Sequence, residues 1–224
     1  MDEFETVAAG EREDVYRFLA GLYLRPPSDS LIEVIRDGSI SKVFQGNDEM
    51  SAFVKVAVGI SNIKDELEAE HASLFVLPSG VLPHEAVYLD RDKRLGGKIT
   101  MGVRQFYERA GTDISEDCIE MPDHLGMELE FMGLLCKLEQ ELREGTDSSS
   151  LQKCVELQKT FLDEHISRWA YLCCEEVIKH ATYGFYKAVA HFTIEFLKNE
   201  EEYVSALYEK VCGEGEQLCG TAKN

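Results

Sequence analysis

No stretch of the 224 residues approaches the ~18 consecutive apolar residues that a helical membrane span needs, so that class is excluded at the outset. Basic residues are scarce as well: 23 Lys+Arg stand against 42 Asp+Glu, a formal net charge of −19. Such a surface repels phosphate backbones and anionic headgroups, which argues against sequence-independent nucleic-acid binding and membrane attachment. Solubility alone explains the acidity, and a cationic partner would suit it. The start, Met1-Asp2-Glu3-Phe4-Glu5, is acidic where a secretory signal would be basic, and reads as a cytoplasmic chain.

Paired thiolates are missing too. The seven cysteines (Cys118, Cys136, Cys154, Cys173, Cys174, Cys212, Cys219) form no C-x-x-C motif: Cys173 and Cys174 are direct neighbours, and six residues separate Cys212 from Cys219. Zinc and iron–sulfur sites need close pairs, so reduced thiols, mostly buried as small hydrophobes, are expected. His-Glu-x-x-His, the phosphate loop, Gly-x-Gly-x-x-Gly and Gly-x-Ser-x-Gly are all absent. A di-iron bundle would need two Glu-x-x-His motifs, and only Glu68-x-x-His71 matches. The expectation is therefore a non-enzyme with no metal or cofactor.

What is present is helical periodicity. With 44% hydrophobic and 9% aromatic residues the chain is globular rather than disordered. Val15, Phe18, Leu19 and Leu22 form a stripe that ends at Arg25-Pro26-Pro27. Ser30 is the expected cap of a second helix, closed by Gly38; Asn47 caps a third and Asn62 a fourth. From Val76 to Lys98, prolines and glycines punctuate a loop of about twenty residues, a length usually tied to function. Helix resumes over Thr100–Ala110, a polar linker spans 112–121, and Asp123 is a plausible N-cap for a long helix to Leu142 that is apolar on more than one face and hence central. Helical patterns follow over Leu151–Cys174 and Tyr183–Leu197, and the tail 212–224 is expected to fray. Eight or nine helices in one all-α domain are predicted, with an N-terminal half over 1–111 and a C-terminal half over 122–211, the long apolar loop between them.

Two constellations stand out. The first, Leu74-Phe75-Val76-Leu77-Pro78-Ser79-Gly80-Val81-Leu82-Pro83-His84-Glu85-Ala86-Val87-Tyr88, is strongly apolar for an aperiodic connection. It either tucks beneath neighbouring helices or lines a groove for a partner. The second is Met121-Pro122-Asp123-His124-Leu125-Gly126-Met127-Glu128-Leu129-Glu130-Phe131-Met132, where either Asp123 satisfies free amides at the helix start with His124 beside it on the first turn, or the two hydrogen-bond an incoming peptide, Asp123 its guanidinium.

Together these segments resemble the redox-enzyme maturation chaperones of the TorD/DmsD/NarJ type. That family shows a Leu-Phe followed by a proline, then Pro-x-Glu-(Ser/Ala)-Val-(Tyr/Trp), then Pro-Asp-His-Leu-x-x-Glu-Leu-x-Phe-Met. The corresponding segments here are Leu74-Phe75 with Pro78, Pro83 to Tyr88, and Pro122 to Met132. Val103-Arg104-Gln105-Phe106-Tyr107, Phe161-Leu162-x-x-His165-Ile166-x-x-Trp169 and Phe185-Tyr186 match further parts of the pattern. Ser79 and small or aliphatic neighbours stand where some members carry tryptophans.

The resemblance implies an all-helical cytoplasmic chaperone that binds the precursor of a molybdopterin-containing oxidoreductase, through its twin-arginine signal peptide, until cofactor insertion is complete. It implies a leader-binding surface at Leu74, Phe75, Leu77, Pro83, Glu85, Tyr88, Pro122, Asp123 and His124. Glu85 and Asp123 would meet the guanidiniums, and Leu74, Phe75 and Leu77 the apolar stretch. Two alternatives stay open: a GTP-binding maturation factor, opposed by the missing phosphate loop and the charge although Mg²⁺ could bridge carboxylates and phosphates, and a scaffold that binds the folded enzyme subunit. A homodimer, including a form swapped at the linker, is compatible with either.

Overall fold

The structure, a computed structural model, describes the backbone of residues 3–112 and 119–219, and the side chains of 8–112 and 119–213. Its order is α1 (Glu3–Leu24), α2 (Asp29–Arg36), α3 (Asp48–Ala57), α4 (Ile63–His71), α5 (Glu85–Leu89), α6 (Lys98–Arg109), α7 (Leu125–Glu144), α8 (Ser148–Phe161), α9 (Ser167–His180) and α10 (Gly184–Cys219). Two π-helical turns extend α4 (Ala72–Val76) and join α8 to α9 (Leu162–Ile166). Among the described residues the only extended pairing is one isolated antiparallel bridge, His84 with His124. The predicted all-α single domain is what the structure shows.

The prolines stop α1 as expected, and they leave a debt. Pro27 has no N–H to give the Tyr23 carbonyl four residues before it. His71, from the end of α4, supplies the missing donor: its Nε2 lies 3.3 Å from Tyr23 O. The lone Glu-x-x-His of the sequence therefore serves helix termination.

Helix α7 is the centre of the fold, with Leu125, Leu129, Phe131, Met132 and Leu135 all buried. Its main neighbour is α1. The two approach closely because α7 presents glycine at the contact. A Cβ on Gly126 would sit 2.5 Å from Leu24 Cγ and 3.0 Å from Ala20 O, and one on Gly133 would sit 3.3 Å from Tyr16 Cβ. Helix α10 packs on α8, α9 and α3, and α5 packs on α9 and α6.

Several local expectations are corrected. Ser28, not Ser30, caps α2, its Oγ accepting from Leu31 N while Ser30 bonds the Ser28 hydroxyl. Asn47 caps α3 as predicted, accepting from Met50 N at 2.9 Å. Asn62 precedes α4 but turns its amide to Glu66 instead. The loop over 76–98 is broken by α5, and α10 continues beyond the Tyr183–Leu197 stripe to Cys219. Most of the predicted linker, 113–118, lies outside the described residues, as does the end of the tail.

Candidate functional site

The two constellations meet. Glu85 N donates to Asp123 O at 2.9 Å and Leu125 N to Pro83 O at 2.8 Å, so the two segments are stitched across the His84–His124 bridge. The Asp123 side chain adds a third tie, Oδ2 accepting from Ala86 N at 3.1 Å. This corrects the expected cap. Asp123 satisfies the first turn of α5, while His124 takes the N-cap of α7, its Nδ1 accepting from Gly126 N at 3.0 Å. The second motif thus supplies the side-chain caps of both helices, and the first returns only the Pro83 carbonyl to the first amide of α7.

Behind the bridge lies a buried polar row. Glu85 Oε2 is 2.8 Å from His165 Nδ1, on the second π-helical turn. Trp169 Nε1 donates to Glu128 Oε2 at 3.1 Å, and the Tyr107 hydroxyl donates to Pro122 O at 2.7 Å. Burial pushes the Glu128 carboxyl well above the usual carboxylate range, and nearby Glu85 and Asp123 add to the shift. Asp123 behaves in the opposite way. Burial opposes its ionisation, but the His84 ring, with Nδ1 3.9 Å from Oδ1, and the Ala86 amide outweigh that and hold it below the usual range. His124 is lowered to about 3, by burial first and by the adjacent His84 second, and is neutral at physiological pH.

His84, Glu120 and His124 bring one ligand atom each within 4.8 Å of one another, a spacing compatible with a cation. Hydrogen bonding disfavours that use. Because His124 Nδ1 accepts from Gly126, the proton of the neutral ring sits on Nε2, which makes the remaining nitrogen a donor rather than a metal ligand.

The predicted site residues divide by exposure. Leu74, Phe75, Pro83, Glu85, Asp123 and His124 are buried, Glu85 at 1% and Asp123 at 0%. Tyr88 and Pro122 are half-buried, and the Tyr88 hydroxyl donates to Val81 O at 3.1 Å. Leu77, at 49% exposed, stands at the surface beside Val76 at 65%, Pro78 and Ser79. The first π-helical turn produces this split, burying Leu74 and setting Phe75 against Tyr23, His71 and Tyr186 while turning Val76 outward. The carboxylates singled out for an incoming arginine are thus occupied inside the protein. The exposed carboxylate at the bridge is Glu120, which no motif marked.

A sequence family described as nitrate reductase delta subunit matches residues 48–175, more than half of the chain and a span that contains both constellations. The chain belongs to that family. Chaperone protein TorD of Vibrio cholerae serotype O1 is 22% identical over 212 residues, covering 89% of this chain and 94% of that one. Chaperone protein TorD of Aliivibrio salmonicida is 23% identical over 207 residues, covering 87% and 95%. A crystal structure described as a redox enzyme maturation protein from Archaeoglobus fulgidus aligns with a TM-score of 0.45 at 20% identity, covering 85% of this chain and 93% of that one. The family named from the motifs is the family found, and its named members are chaperones rather than enzymes. Among the described residues no helix is long and apolar enough to cross a membrane.

Proposed function

We propose that this protein is a cytoplasmic chaperone for a molybdopterin-containing oxidoreductase and binds the twin-arginine signal peptide of its precursor until the cofactor is in place. The observation that carries the reading is the union of the two motifs into one bridged unit, with an exposed apolar tip at Val76 and Leu77 on one arm and the exposed carboxylate of Glu120 on the other. A twin-arginine leader pairs guanidiniums with an apolar stretch, so it needs both kinds of surface.

Within this site the nine residues from Leu74 to His124 take two roles. Leu77, with Val76, Tyr88 and Pro122 beside it, meets the leader directly. Leu74, Phe75, Pro83, Glu85, Asp123 and His124 fix the shape of the surface, and Asp123, held below the usual carboxylate range, adds a negative charge beneath it.

The test uses a fluorescent twin-arginine leader peptide and fluorescence anisotropy. Leu77→Asp and Glu120→Lys, both at exposed positions, are each expected to weaken binding by about tenfold or more while leaving helical content unchanged. Wild-type affinity in both variants would remove the site. A parallel measurement with mature enzyme lacking its leader separates leader recognition from scaffolding: binding that persists at full strength without the leader would assign the protein to the scaffold class.

A further inference from the structure

A second surface, sharing no residue with the bridged motifs, has the opposite polarity. An open groove of about 510 Å³ lies between the C-terminal half of α1, the Pro26-Pro27 turn, α2 and the short 3-10 turn after it. Its apolar walls are Phe18, Leu22, Leu31, Val34, Ile40 and Val43. One edge is built by α1 at successive turns: Arg17, Gly21 and Arg25. The lining contains two arginines and neither Asp nor Glu, in a chain where acidic residues outnumber basic ones 42 to 23.

Two acids next to the groove are already engaged. Glu13 pairs with Arg17 at 2.7 Å, and Asp29, between Ser28 and Ser30 at the groove's end, pairs with Lys64 at 2.6 Å. Arg25 is exposed and makes no ion pair among the described residues. Gly21 leaves the middle of the edge open, with nothing within 4 Å of where a Cβ would stand. The two guanidinium-bearing positions are just over two helical turns apart, about 12 Å along the axis.

We propose that this groove docks an amphipathic helix of a partner polypeptide, its aliphatic face between α1 and α2 and its carboxylates, two turns apart, against Arg25 and Arg17. The match is chemical: apolar walls take the aliphatic side chains, and the two charged residues of the lining, Arg25 and Arg17, the latter through the nitrogens that the Glu13 pair leaves over, select for an acidic helix over a basic one. The arginine-bearing leader is repelled here, so the protein has two docking surfaces of opposite charge preference.

The probe is a synthetic helical peptide with leucines on one face and two glutamates spaced two turns apart, with its lysine counterpart as the comparison. Anisotropy is expected to show the glutamate peptide binding the wild-type protein about tenfold or more tighter than the lysine peptide. Gly21→Phe fills the groove from an open position and should abolish glutamate-peptide binding without altering leader binding. Arg25→Glu, on the exposed rim, should reverse the preference towards the lysine peptide. The proposal is overturned if the wild-type protein binds neither peptide, if Gly21→Phe leaves glutamate-peptide affinity unchanged or weakens leader binding equally, or if Arg25→Glu leaves the preference as it was.

Discussion

At the scale of single residues, two of the four buried histidines serve backbone groups that the helices cannot satisfy. His71 closes the carbonyl left open by Pro27, and His124 caps α7. His124 must be neutral to accept at Nδ1, and burial lowers it to about 3; His71 is lowered to about 4 by burial, against the Tyr23 carbonyl, which favours the charged ring. In the unfolded chain the same imidazoles titrate near 6.5. Depressed folded-state values mean that the stabilisation is complete above about pH 6.5 and is lost as the pH falls towards 4, each group contributing a slope of up to about 1.4 kcal/mol per pH unit. Urea unfolding between pH 7 and pH 5 should therefore show stability decreasing with acidification. In His71→Phe, which keeps the ring packing against Phe75 and Tyr186 but cannot titrate, the slope should be shallower even though the variant is less stable overall. An identical slope would mean that His71 binds protons equally in both states. None of this was readable from sequence, where His71 appeared only as half of a failed metal motif.

At the scale of elements, helices with regular spacing were legible and the connections were not. Periodicity located α1, α3 and α6 because each buries one recurrent face, α7 stood out as apolar on more than one, and prolines and glycines marked several of the ends. The short α5 was missed because five residues hold too little period to register, and because its N-terminal amide is satisfied by Asp123 from a segment 37 positions away. Local reading assigned Asp123 to the helix it precedes, since a cap donated across the fold leaves no trace in neighbouring residues. The close approach of α1 and α7 was hidden for the same reason: Gly126 looks like a weak helix former until Leu24 and Ala20 are seen against it. Gly126→Ala should raise helix propensity yet destabilise the protein by about 1 to 3 kcal/mol through overpacking. Because Gly126 is also the amide that His124 accepts from, the strain falls on the bridged site, and leader affinity should drop together with the thermal midpoint. A variant as stable as the wild type would show that α7 can move away from α1 at no cost.

At the scale of the molecule, the site is at one end of α7 and a buried ionic network is near the other. Arg12 of α1 donates to Glu200 of α10 and Glu139 of α7, each at 2.9 Å, and to Gln158 of α8 at 2.8 Å, while Arg143 holds Glu139 from one turn away at 2.7 Å. Four helices meet at one guanidinium, in a chain whose surface is otherwise an excess of negative charge. The acidity that first excluded nucleic acid and lipid thus includes members inside the protein, where they fix which helices meet. Replacing Arg12 by Ala leaves Glu200 buried without a counter-charge and should cost about 3 to 5 kcal/mol in urea unfolding at neutral pH. Removing both charges in Arg12→Leu with Glu200→Leu leaves Glu139 paired with Arg143 and hydrogen-bonded by Gln158, so the double variant should recover a substantial part of that loss. Since no member of the network belongs to the bridged motifs, leader affinity measured on the folded fraction should be unchanged in both variants. A single variant as stable as wild type would show that water reaches Glu200 and that the network does not hold the four helices together; a double variant no better than the single would place the loss in the stacking of the Arg12 guanidinium on Tyr203, whose ring centre lies 4.7 Å from the guanidinium carbon.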